Sequence, residues 1–173
     1  MTSIFEFCQF PRQVLDNLPK DTDVISHEYG HHVIYKSLKS TRGESLILHE
    51  GLADFFVFAR TGDGCLGESI CPSGSQICEV DQCLRTADNS LVYGEGLYPH
   101  KPAHQKGQLI SGYLWDLAQS NDVPLEDLER MVLRAIDLLV SDSGIEHFML
   151  ALYNADQELH DSKYRAALNS GAE

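Results

Sequence analysis

Apolar residues recur along this chain with a helical rather than an alternating period. From Asp21 to about Lys39 the spacing predicts a first helix. Asp21, Thr22 and Asp23 offer N-cap oxygens and favour its positive end. Val24, Tyr35 and Leu38 are its candidate core residues, with Ile25 or Val33 as further ones. The loop TRGE leads to a second helix from Glu44 to Arg60. Its stretch LADFFVFA is apolar enough to predict burial, and Gly62 is placed to stop it. Three more helices are expected: His104 to Ser120, Pro124 to about Ser141, and Ser143 to Leu159. The second of these has Pro near its first position and acids in its first turn. A shorter helix is expected near Ser162–Asn169. The fold class this predicts is mainly α, with little or no β-sheet. Residues 1–20 form a lead-in punctuated by Pro11 and Pro19, and 21–173 form one helical domain.

Residues 62–103 break the pattern. They have no helical period, and a loop this long is usually functional or disordered. Four of the five cysteines lie there, Cys65, Cys71, Cys78 and Cys83, among Gly, Ser and acids. Their spacing lacks the close pairs of a structural zinc site, so two disulfides stapling the loop are expected. Three pairings are open. Cys8 is left over. Disulfides imply a secreted or extracytoplasmic protein. The N-terminus has no basic-then-apolar order of a secretory signal, so the chain is expected to be a fragment of a longer secreted precursor.

With 173 residues the chain has the size of one domain, and 43% hydrophobic residues suffice for one core. Its 13 basic and 26 acidic residues give a formal charge of -13. That argues against nucleic acid and against an anionic membrane surface. Some of the carboxylates are candidate Ca²⁺ ligands. No apolar run approaches the roughly 20 residues needed to span a bilayer.

The chemistry is concentrated in HEYGHH, residues 27–32. His27, Glu28 and His31 make H-E-x-x-H. On a helix, positions i and i+4 share one face, so both imidazoles reach one Zn²⁺. Glu28, rotated by about 100°, falls beside the open coordination position as a candidate base. His32 is turned away and reads as a core or supporting histidine rather than a ligand. A third ligand must come from elsewhere. The extended motif ending in a third histidine fails, because Ile34 and Ser37 stand at its Gly and His positions. The second helix offers HEGLAD, with Glu50 and Asp54 again four apart. The 19 residues from His31 to Glu50 allow a turn and an antiparallel return. His49, beside Glu50, would line the site.

HEYGH followed by EGLAD resembles the gluzincin zinc metallopeptidases, thermolysin-like and nearest to fungalysin-like ones. The resemblance covers roughly residues 21–120 and implies a helical zincin-type catalytic subdomain with a disulfide-stapled loop insertion. It implies that Glu50 is the third zinc ligand and that Asp54 orients His27. It also implies that a histidine on a later helix stabilises the oxyanion. AHQKGQLISGYLWDL looks like that segment, with His104 as the donor and His100 as the runner-up. Gly107 and Gly112 would let this helix pack against the zinc helices. The assisting tyrosine of thermolysin has no aligned counterpart; Tyr35 and Tyr93 are the candidates.

The expected function is therefore a zinc-dependent endopeptidase acting on a protein or peptide substrate. The metal is held by His27, His31 and Glu50, with Glu28 and His104 catalytic. Thermolysin-like enzymes also have an N-terminal lobe with a β-sheet that binds substrate, and about twenty residues before the zinc helix cannot build one. Two alternatives follow: a zinc site without proteolysis, or a metal-free, disulfide-stapled helical binding module.

Overall fold

A computed structural model describes residues 18–71, 78, 83–94 and 101–170. Cys8 and His100 lie outside the described residues. The fold is mainly helical: α1 (Thr22–Ile34), α2 (Gly43–Thr61), α3 (Ala103–Gln119), α4 (Leu125–Leu138), α5 (Ile145–His160) and α6 (Arg165–Ser170). Among the described residues the only sheet is an antiparallel pair, β1 (Cys65–Leu66) and β2 (Arg85–Thr86), with Leu66 opposite Arg85.

Helix α1 starts where its capping group predicts. Asp21 Oδ1 accepts from the backbone N–H of Asp23 at 2.8 Å and of Val24 at 2.9 Å. It ends at Ile34 rather than Lys39, in a turn that puts Leu38 into the core. The expected core face is corrected here. Ile25 is 54% exposed and Tyr35 50%, while Asp23, His27, Gly30 and Ile34 are buried. The face that meets α2 carries Asp23 and His27 beside Gly30 and Ile34, so Ile25 is turned outward.

Three contacts order α1 against α2: Asp23 with Arg60, His27 with Asp54, and His31 with Glu50. Rising numbers on one helix meet falling numbers on the other, so the pair is antiparallel. At the crossing, a Cβ on Gly30 would fall 3.0 Å from Ala53 Cα. Gly62 ends α2 in the left-handed conformation at φ 72°, with its N–H on the Phe58 carbonyl.

Helix α3 runs beside α2 in the same sense. Gly107 meets Gly51, and seven or eight residues on, Trp115 meets Phe58 with ring centroids 6.0 Å apart. Two neighbouring helices of one sense need a return connection as long as the helix, about 28 Å for the 19 residues of α2. The cysteine loop is that return. It is stapled by Cys65–Cys83 and Cys71–Cys78, which settles the pairing. Closing the larger loop, with a sequence separation of 18, stabilises by roughly 3 kcal/mol in the chain-entropy view.

The main core joins α1, α2 and α3 to the α4–α5 hairpin, with Phe55, Leu114, Met131 and Phe148 fully buried. A smaller cluster of Val57, Phe58, Leu66 and Ala87 lies under the loop, with half-buried Trp115 packed against it. Among the described residues no helix is long and apolar enough to cross a membrane.

The glycines divide their work differently from the expectation. Gly107 does bring α3 onto α2, but Gly112 faces the loop, where a Cβ would lie 2.7 Å from Asn89 Nδ2. A Cβ on Gly107 would lie 2.7 Å from Glu50 Cβ and 2.8 Å from Gly51 N. Gly107→Ala should therefore destabilise the protein by about 1–3 kcal/mol, although alanine is the better helix former by about 1 kcal/mol. Urea denaturation checks this; an unchanged or raised midpoint would contradict the close packing.

Candidate metal centre

The α1–α2 pair brings His27, His31 and Glu50 together, with one ligand atom from each lying within 4.8 Å of the others. His27 Nε2 lies 3.3 Å from Glu50 Oε2, and His31 Nε2 lies 3.8 Å from the same oxygen. Two ligands at about 2.0–2.1 Å on a tetrahedral ion are about 3.4 Å apart. The spacing is that of ligands around one ion, and the group could hold a metal.

Behind the ligands stands a buried polar array. His27 Nδ1 is 2.7 Å from Asp54 Oδ1. Arg85 donates to both Asp54 oxygens, from Nε at 2.7 Å and from Nη2 at 2.8 Å. Arg85 Nη2 also lies 3.3 Å from His27 Nδ1. The shorter carboxylate contact decides the tautomer: the Nδ1 proton is given to Asp54 and Nε2 faces Glu50. Asp54 is fully buried. Burial alone would raise its pKa, but the Arg85 charge and the bonds from His27 and Arg85 hold it below the usual carboxylate range.

Among the described residues no well-formed hydrogen bond reaches the buried Glu50 Oε2, although the Nε2 atoms of His27 and His104 each lie 3.3 Å from it. Opposite it, a neutral His27 presents a lone pair. Two acceptors then face each other at 3.3 Å, an arrangement that a cation or a proton between them relieves. A proton on His27 would do so in the metal-free chain. Burial works to lower the His27 pKa, yet the bonds to Asp54 and Glu50 outweigh it and the value is raised. Glu50 is held low, as the His27 bond and the His104 charge overcome desolvation. His31 is lowered by burial and by its charged neighbour His27. The donor set thus fits a divalent cation taking the place of that proton.

The other sequence candidates fall around this group. Glu28 is exposed on α1, and its charge acts on both His31 and Arg85. His104, in the first turn of α3, is exposed and points Nε2 at Glu50 Oε2 from 3.3 Å without belonging to the group of three. His32 is not in the core: it is exposed, its ring 6.1 Å from Tyr29. The helical twist that removes it from the ligand face carries it past α2 into solvent. His49 is buried and donates from Nε2 to the Leu38 carbonyl at 3.0 Å. Its ring is 5.7 Å from that of His31. A cavity of 370 Å³ opens beside the ligands, walled by His31, His32, Tyr35, Thr41, Leu46, His49 and Glu50. Tyr35 is thus on the cleft wall, while Tyr93 reaches Glu44 at 3.5 Å and shares no residue with that wall. A more apolar groove between α3 and α5, floored by Leu109, Tyr113 and Met149, contains none of the ligands.

Arg85 is the functional residue that sequence reasoning missed. The available hint was that Asp54, on a fully buried helix face, has two oxygens to satisfy and only one histidine to do it.

No protein-family model matches the chain, and no curated protein matches it by sequence.

The linkage of proton and metal has a definite sign. With its pKa raised above 6.5, His27 adds stability to the metal-free protein that is complete below pH 6.5. That stability is lost as pH rises through the raised value. Metal needs the ring deprotonated, so its stabilisation grows in the same window. In chelator-treated protein, the melting-temperature advantage of wild type over His27→Gln should shrink above pH 6.5. The rise in melting temperature on adding zinc should meanwhile grow. A zinc-induced rise that is flat between about pH 6 and 8 would exclude this linkage.

Proposed function

We propose that this protein is a zinc-dependent endopeptidase of the gluzincin type, hydrolysing peptide bonds in a protein or peptide substrate. One observation carries the proposal. Two i, i+4 pairs on antiparallel helices converge so that His27, His31 and Glu50 meet, with Asp54 behind His27. Zinc suits the set, since two imidazoles and one carboxylate with a fourth position open are the ligands of a hydrolytic site. Zn²⁺ bound there supplies Lewis acidity, lowering the pKa of water and polarising a carbonyl.

The chain's own residues do the rest. Asp54 keeps the His27 proton on Nδ1, leaving Nε2 free as a ligand. Glu28 is next to His27 and exposed, so it can take a proton from the attacking water. As the water oxygen bonds to the carbonyl carbon and the C–N bond breaks, Glu28 passes that proton to the leaving nitrogen. His104, exposed and 3.3 Å from Glu50 Oε2, would donate to the developing oxyanion. The two disulfides suit an oxidising, extracytoplasmic setting, and secretion completes the proposal.

One observation favours a second reading, a zinc site without proteolysis. Among the described residues the only strands are two residues long, a short edge for binding an extended peptide.

Four measurements test these readings. Elemental analysis should find one zinc per chain; none would leave a metal-free binding module. Casein or a peptide library should be cleaved, whereas full zinc without cleavage supports the second reading. Glu28→Gln should retain zinc and lose about 10²–10⁴ in rate. His104→Ala should lose about 10²–10³ in kcat with zinc content unchanged. Full activity in Glu28→Gln would sink the mechanism.

A further inference from the structure

Residues 83–87 are clamped at both ends to the segment that precedes the cysteine loop. Cys83 is bonded to Cys65. Leu84 N donates to Leu66 O at 2.8 Å, and Ala87 N donates to Gly64 O at 2.7 Å. Arg85 sits inside this clamp, opposite Leu66, and is buried. Its guanidinium reaches inward to both oxygens of Asp54, and Asp54 holds His27 Nδ1. An unbroken line of contacts therefore runs from the disulfide through β2, Arg85 and Asp54 to a metal ligand.

Each link is sensitive to position. A guanidinium makes its paired bonds to a carboxylate only in one planar alignment. Strands of two residues do not hold that alignment alone, since even a complete two-stranded hairpin is marginal in water. Thr86 adds one more tie, its N–H donating to Gln108 Oε1 at 2.9 Å. Of these ties only the disulfide is covalent.

We propose that the Cys65–Cys83 disulfide acts on the metal centre through Arg85, a positioning residue that holds Asp54 against His27. The proposal rests on the metal site argued above. With the bond gone, β2 is free to shift, the paired contact opens, and His27 loses the partner that fixes its ring and tautomer. The second disulfide supplies an internal control. Cys71–Cys78 closes a sequence separation of only 7 and is bonded to neither strand.

The test is a zinc-affinity cycle on the whole chain, by competition with a chromogenic chelator at fixed pH. Far-UV circular dichroism confirms that each variant is folded. Arg85→Leu is expected to bind zinc about 10–100-fold more weakly than wild type. The double variant Cys65→Ser/Cys83→Ser is expected to lose a similar factor, and combining it with Arg85→Leu to add little. Cys71→Ser/Cys78→Ser should bind as wild type does. Arg85→Lys keeps the charge without the fork and should fall with Arg85→Leu. Wild-type affinity in Arg85→Lys, in Arg85→Leu or in the Cys65/Cys83 variant would overturn the proposal. So would losses that multiply in the combined variant, or an equal loss in the Cys71/Cys78 control.

A second readout needs no metal. Nitrogen NMR of the neutral His27 ring in metal-free protein should show the Nδ1–H tautomer in wild type. It should show a mixture in Arg85→Leu and in the Cys65/Cys83 variant. If wild type binds no zinc, the functional reading fails while this readout still decides the proposal. A tautomer unchanged in both variants overturns it.

Discussion

Everything around the candidate centre depends on one buried charge, the carboxylate of Asp54, which is wholly shielded from water. A charge in that position survives only with partners that satisfy its oxygens and offset its field. The chain provides them from two distant places, His27 on α1 and Arg85 on β2. Those two contacts dictate much else. They require α1 to turn a polar face inward, and they require the cysteine loop to come back over α2. Breaking either leaves a charge stranded in the interior, which costs far more than the pair contributes when intact. The interaction is thus better understood as a constraint on geometry than as a source of stability.

The close approach of three helices is the second constraint. Gly30, Gly51 and Gly107 remove the Cβ atoms that would otherwise separate α1, α2 and α3. Each adjoins a candidate ligand in sequence or in space: Gly30 precedes His31, Gly51 follows Glu50, and a Cβ on Gly107 would collide with Glu50 itself. Glycine in a helix is entropically unfavourable. Here it is concentrated where the ligand atoms must converge, so local helix stability is lowered around the site that needs the tightest packing.

How much of this was legible in the sequence follows from what kind of rule each part obeys. The helices and the His27–His31 and Glu50–Asp54 pairs follow from periodicity, which is local and fixed by the helix itself. Their antiparallel meeting was legible too, because the short stretch between them leaves the chain little choice. The inward face of α1 was not: Ile25 and Tyr35 look like core residues, and only the tertiary demand of Asp54 explains why they point to solvent. The cysteine pairing is a matter of three-dimensional closure, and four cysteines carry no local preference among three connectivities. Arg85 escaped for the same reason. It lies in a segment without period, 31 residues from the aspartate it serves. His104 was singled out by resemblance alone; its placement near Glu50 depends on the parallel run of α3 along α2, which no spacing rule reveals.

Charge balance at the centre links the metal-free and metal-bound forms. With His27 protonated, Asp54 is offset by Arg85 and Glu50 by the His27 charge. The buried array is then close to neutral, which is the condition under which ionised groups tolerate burial. A divalent cation that displaces the His27 proton adds two charges and removes one, leaving the array one positive charge in excess. Glu28 supplies the opposite charge, and it does so from an exposed position whose field reaches His31 and Arg85. Because Glu28 is not locked into the array, its charge can follow a proton without disturbing the ligands. On the proposed function, the buried groups would define where a cation sits and the exposed Glu28 carboxylate would move protons beside it.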